Sequence, residues 1–121
     1  MSSTDLHEPA EALGPDGVDR HRAVVSIMEE LEAVDWCHQR ALATEDPELR
    51  ALLEHNRDEE KEHASMLIEW LRRRDEKLDE HLRTYLFRTG SIVEREHEAE
   101  HGGGTGTGGD LGIGSLRGAA S

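Results

Sequence analysis

The sequence predicts an all-α protein, with two long antiparallel helices, a short third helix and a disordered C-terminal tail, the helical part pairing with a second copy into a four-helix bundle. Three observations carry this. Residues 18–43 and 47–75 contain no glycine, and no proline except Pro47 at the very start of the second stretch. In both stretches apolar residues recur three and four positions apart, the spacing of one helix face. The segment between them, Thr44-Glu45-Asp46-Pro47-Glu48, leaves room only for a sharp reversal, so the helices become antiparallel neighbours.

Taken in order, Met1–Gly17 ends in Gly14-Pro15-Asp16-Gly17, a turn signal that delays the first helix and leaves a flexible N-terminal segment. The first helix then runs from Val18 to about Ala43, with Ile27, Leu31 and Val34 at helical spacing. Asp46 is placed to cap the second helix and Pro47 suits its first position, so that helix runs from Pro47 to about Asp75. Leu78, Leu82, Tyr85 and Leu86 give the third helix, ending near Gly90, whose place after the last apolar residue suits a C-cap. Residues 18–90 form the helical domain. Residues 91–110 read as an acidic, then Gly-rich, flexible linker, with Glu94 to His101 taken as a disordered charged run. After it, Leu111-Gly112-Ile113-Gly114-Ser115-Leu116-Arg117-Gly118 returns three aliphatic residues on a tether, the form of a docking peptide. No period of 20 to 50 residues repeats, which argues against a solenoid.

Composition narrows the function. The 121 residues hold one domain at most, and about ninety of them are a marginal length for a self-sufficient core. With 3% aromatic residues, association is the natural way to hide apolar surface. A formal charge of −13 argues against nucleic acid and would draw cations instead. The single cysteine, Cys37, fits a reducing compartment. There is no signal-peptide pattern and no run of apolar residues long enough for a bilayer, so a cytoplasmic protein is expected.

The chemistry lies in Glu60-Lys61-Glu62-His63. Glu60 and His63 point the same way on a helix and can share a metal ion. They also fall on the stripe Leu53, Asn56, Glu60, His63, Leu67, Trp70, which puts ionisable groups at core positions, where an unpaired carboxylate persists only with a partner such as a cation. On the first helix the stripe Ile27, Glu30, Val34, Cys37, Ala41 brings Glu30 to the same seam. Two chains pairing through these faces would collect four carboxylates and two imidazoles, the ligand inventory of a di-iron carboxylate bundle. Such oxygen-rich sites suit iron or manganese better than structural zinc, and iron adds redox chemistry.

Two further clusters are candidates. Glu29, Glu32 and Trp36 lie within about 60° of one another on the other side of helix one; they form either a weak site that passes metal inward or an ordinary acidic face, with Trp36 packing at a subunit contact. His55, Glu59 and Glu62, spaced four and three, could hold a cation between subunits or join a salt-bridge network with Arg57 or Lys61. His97 and His101, among acidic residues, could bind metal loosely, but a disordered charged run is the stronger reading. Cys37 reads as a small core residue.

The segment Ser26-Ile27-Met28-Glu29-Glu30-Leu31-Glu32-Ala33-Val34-Asp35-Trp36, together with His55-Asn56-Arg57-Asp58-Glu59-Glu60-Lys61-Glu62-His63, resembles the encapsulated ferritins. Leu111-Gly112-Ile113-Gly114-Ser115-Leu116-Arg117 is similar to the peptide that carries such cargo into encapsulin nanocompartments. The resemblance implies a ferritin-like four-helix bundle made by two chains, and a ring of dimers, typically a homodecamer. It implies an iron-storage ferroxidase with Glu30, Glu60 and His63 as catalytic ligands of a di-iron (Fe) site. Glu29, Glu32 and Trp36 would line the route by which metal arrives. His55, Glu59 and Glu62 would hold a further metal, calcium or another divalent cation, between subunits. The partners implied are further copies of this chain and an encapsulin shell inside the cytoplasm. Where the family often has a tyrosine beside the site, this chain has Cys37. The rival readings are a rubrerythrin-like di-iron peroxidase and a non-catalytic metal-binding cargo protein.

Overall fold

The computed structural model describes residues 5–101, and residues 111–118, read from sequence as a docking peptide, and the Gly-rich residues before them lie outside that range. Among the described residues the regular structure is entirely helical: α1 (Ala10–Ala43), α2 (Pro47–Arg72), α3 (Glu76–Tyr85) and α4 (Ile92–His101). None of these helices is long and apolar enough to cross a membrane. They divide into two units that meet between residues 76 and 77, an α1–α2 hairpin and a segment carrying α4 and nearly all of α3.

The reversal between α1 and α2 is built as the sequence dictates. Asp46 Oδ1 accepts the Glu48 N–H at 3.1 Å and Pro47 opens the helix, so an otherwise orphaned donor is satisfied and the proline ring displaces no hydrogen bond. Arg50 then reaches back from the first turn of α2, donating to the carbonyls of Ala41 and Thr44, and ties down the open C-terminal end of α1. At the far end Arg20 on α1 bonds Asp16 and the carbonyl of Arg74 beyond α2.

Helix α1 starts earlier than Val18. A short turn of helix begins at Ala10, breaks at Gly14, whose φ of 74° and ψ of 168° are non-helical, and resumes at Pro15. The turn signal was real, but it interrupts a helix instead of preceding one: glycine supplies the positive φ and proline restarts the helix at the position it favours. Helix α3 also ends differently from expectation. It closes at Tyr85, and Phe87, at φ 59°, takes the left-handed position expected of Gly90. The Arg88 guanidinium donates to the Arg83 carbonyl and helps hold that end. Gly90, at φ 88°, instead turns the chain into α4.

The largest correction is α4 itself, since the charged run taken as linker is helical over Ile92–His101. Ser91 Oγ accepts the Glu94 N–H at 3.1 Å. Ser91-Ile92-Val93-Glu94 is the spacing of a capping box, with an apolar pair behind the cap, and it was the signal that could have revealed the helix.

The hairpin has scarcely any core. Its fully buried apolar residues are Ala23, Ala41 and Ala64, while Leu31, Trp36, Leu52 and Met66 stand about half exposed. Small residues at the crossing let the backbones approach closely, and the larger apolar side chains fall outside the seam.

The last turn of α2 is tied by ions. Glu69 accepts from Arg72 at 2.7 and 2.8 Å and from Arg73 at 2.7 Å, and these guanidinium bonds hold its carboxyl down at about 2 from an ordinary 4.5. A depressed carboxyl contributes stability that is present above the unfolded value near 4.5 and is lost as pH falls toward about 2. Glu69→Gln should therefore lower stability at neutral pH toward its acid level and flatten the curve between pH values of about 4.5 and about 2, as read by denaturant unfolding at fixed chain concentration.

Candidate metal centre

The hairpin brings Glu30 of α1 against Glu60 and His63 of α2. One ligand atom from each lies within 4.8 Å of the others, and among the described residues this is the single convergence of three or more potential metal ligands. His63 Nδ1 stands 3.4 Å from Glu30 Oε1 and 3.8 Å from Glu60 Oε2. Glu30 Oε1 is buried and, among the described residues, is the one such side-chain oxygen that accepts no hydrogen bond. The His63 nitrogen is too far away to serve as a good donor. An orphaned anionic oxygen in a seam is an electrostatic cost that a cation would remove.

Electrostatics at Glu60 say the same. Its carboxyl titrates above the usual range, first because the Glu30 carboxyl against it favours a shared proton, then because it has lost hydration, then through direct repulsion from Glu30, against which His63 acts only partly. The upward shift marks the excess of negative charge at Glu30 and Glu60 that a cation would relieve.

His63 is less enclosed than its apolar spacing suggested. On α2 the inward line runs Leu53, Arg57, Glu60, Ala64, Leu67, Leu71, with Asn56 and His63 on its exposed flank. The His63 side chain is 45% exposed, against 24% for Glu30 and 28% for Glu60. The three groups therefore form a half-shell, open beside a groove lined by Ala23, Ser26, Met66 and Trp70 as well as by Glu30 and His63. The orphaned oxygen, the two carboxylates and the imidazole, a mixed oxygen and nitrogen set, suit a borderline divalent ion such as Fe2+.

The other candidate residues do not converge within one chain. Glu29, Glu32 and Trp36 are exposed along α1, and the Arg40 guanidinium lies 5.9 Å from the centre of the Trp36 ring. His55, Glu59 and Glu62 are likewise exposed on α2. Cys37 is a free, partly buried thiol, about 10 Å along the helix axis from Glu30 by its seven-residue separation. A contact that sequence reasoning did not find is Arg57, half of whose role is to bridge the helices: Nη1 lies 3.2 Å from His38 Nδ1 on α1, and Nε donates to Asp58 at 3.0 Å.

Comparison with known proteins accords with this site. The EncFtn-like family model matches residues 5–89. This chain belongs to the encapsulated ferritins. It is 57% identical to the encapsulated ferritin-like protein of Rhodospirillum rubrum across all of this chain and 94% of that protein. It is 54% identical to a ferritin-like protein of Thermotoga maritima, over 91% of this chain and 96% of that one. Among solved structures, a protein from Nitrosomonas europaea superposes with a TM-score of 0.71 at 52% identity, covering 73% of this chain and 97% of that one. The family match spans both helices of the hairpin and all three residues of the candidate centre.

Glu30→Gln gives a direct check on the carboxyl pair. The amide can donate to Glu60 and carries no charge, so Glu60 should move down toward the ordinary 4.5 in the metal-free protein. A raised carboxyl contributes stability that is present below the unfolded value and lost as pH rises through the folded one; the variant should lose that dependence and be as stable as the parent at neutral pH, or more so. A carboxyl-carbon NMR titration with parallel denaturation curves reads both.

Proposed function

We propose that the protein is a ferroxidase that oxidises Fe2+ to Fe3+ at a di-iron site formed between two chains and delivers the iron for storage inside an encapsulin shell. The observation that carries this reading is the half-shell of Glu30, Glu60 and His63 with its orphaned buried oxygen. A second copy applied across the open side would supply another half-shell, giving four carboxylates and two imidazoles for two irons. The apolar residues of the adjoining groove, Met66 and Trp70, and the near absence of a core in one chain favour the same closure.

The chain's own groups account for the steps. Glu30 and Glu60 bind Fe2+ as anions, so the charge of two adjacent substrate ions is offset where they must approach one another. His63 adds a nitrogen and leaves room for an oxidant on the open side. Hard carboxylate oxygens hold the product Fe3+ more strongly than Fe2+, which favours electron loss. Two ferrous ions and two protons convert one dioxygen to hydrogen peroxide. Exposed Glu29 and Glu32, near Trp36, raise the local concentration of cations on the outer face of α1, and His55, Glu59 and Glu62 hold a further divalent cation where subunits meet in a ring.

Assembly should control activity, because one chain owns half of the ligands. Size-exclusion fractions assayed at equal chain concentration should show iron oxidation in the dimer and larger forms, with monomer barely above buffer; a fully active monomer would refute the shared site. Losing a residue that only supports a ligand weakens a metal site about 10- to 100-fold. Glu30→Ala, Glu60→Ala and His63→Ala, which remove ligands outright, should lower the rate by at least that factor.

Delivery rests on the peptide from Leu111 to Arg117. Its three aliphatic side chains offer only modest burial each, at about 25 cal/mol per Å² of apolar area, and many tails on one assembly would add their effects. Cutting after Gly109 should leave assembly and oxidation intact while abolishing entry into a co-expressed shell. The same peptide fused to an unrelated protein should be carried inside.

A further inference from the structure

Helix α4 lies outside the proposed chemistry, yet it places two imidazoles together. His97 and His101 sit four positions apart near its C-terminal end, with ring centroids 4.4 Å apart and planes inclined at 52°. Two histidines at this spacing on one helix face are the arrangement by which a helix offers two nitrogens to one ion. By the helical step of about 100°, Glu94 and Glu98 share their arc. Glu98 is drawn to Arg95 at 3.8 Å, so the two imidazoles are the ligands that this face offers together.

The helix itself has reason to need such a clip. It spans ten residues, short of the roughly 12 to 15 at which a helix in water becomes even marginally stable by itself. All of its residues except Arg95 are exposed, so burial does little to hold it. An ion joining residues one turn apart would lock that turn.

We propose that His97 and His101 form a binding site on α4 for a divalent transition ion of the imidazole-seeking class, represented by Zn2+, and that the bound ion fixes the helix. The ligand sets divide the metals by chemistry. The centre at Glu30, Glu60 and His63 is dominated by carboxylate and favours oxygen-seeking ions, whereas two imidazole nitrogens on α4 favour zinc, copper or nickel over Fe2+. Water completes the coordination, because the face is open to solvent.

The test uses the full-length chain without a histidine tag, stripped of metal and titrated with Zn2+ alone. It compares the parent with His97→Gln, with His101→Gln, and with a pair of substitutions, Ala99→His and His101→Ala, that preserves composition but places the two imidazoles two positions apart, on opposite sides of the helix. Calorimetry should find one zinc per chain in the parent that each variant loses or binds at least about tenfold more weakly. The far-UV helical signal should grow on adding zinc in the parent alone. Iron oxidation should be equal in all four proteins, so a failure of the proposed ferroxidase would appear separately. Zinc binding and helical gain that are unchanged in both glutamine variants, or retained when the spacing is broken, would overturn the site.

Discussion

Glu30 and Glu60 face one another across the seam of a two-helix hairpin, and much else follows from that opposition. Two carboxylates in this position repel and lose hydration, and one buried oxygen of Glu30 finds no donor. His63, at 3.4 Å, offsets only part of the charge. A chain that needed only to fold would gain by placing leucine at either position. The arrangement makes physical sense once cations occupy it, and it commits part of the seam to binding at the expense of packing.

That commitment leaves the hairpin short of apolar burial. Alanines close the crossing, and the larger side chains, Leu31, Leu52, Met66 and Trp36 among them, face outward. The polar clamps at each end, Arg50 on the α1 terminus and Arg20 on the chain beyond α2, fix the angle of the hairpin without adding apolar stability. Surface left open in one chain is the contact area that the proposed pairing would use, and the same open side that exposes His63 would admit a second set of ligands. In the proposed dimer, folding, assembly and metal binding would be coupled through one face.

The α3–α4 segment follows a different rule. Phe87 is fully exposed at a left-handed backbone position, and Ile92 and Val93 are about three-quarters exposed. Local capping, through Ser91 at the start of α4 and Arg88 behind α3, sets these short helices, with little help from burial.

The sequence alone determined the two long helices, the reversal between them and the meeting of Glu30 with Glu60 and His63. All of these rest on periodicity, on the Asp46-Pro47 signal and on a short loop, which are local properties. The docking peptide at 111–118 is also legible as a motif, although it falls outside the described residues. Tertiary structure decided what local pattern could not. Asn56 and His63 satisfied a three- and four-residue apolar spacing as well as Arg57 and Ala64 do, and only the packing of α2 on α1 chose Arg57, Glu60 and Ala64 for the inner line and put His63 on the flank. Gly14-Pro15 carried a turn signal that equally permits a delayed helix or an interrupted one, and Phe87 took a left-handed position that propensity assigns to Gly90. Helix α4 was hidden because high charge masked its capping box. In each case several backbone paths satisfy the same short-range preferences, and the contacts of the folded chain select among them.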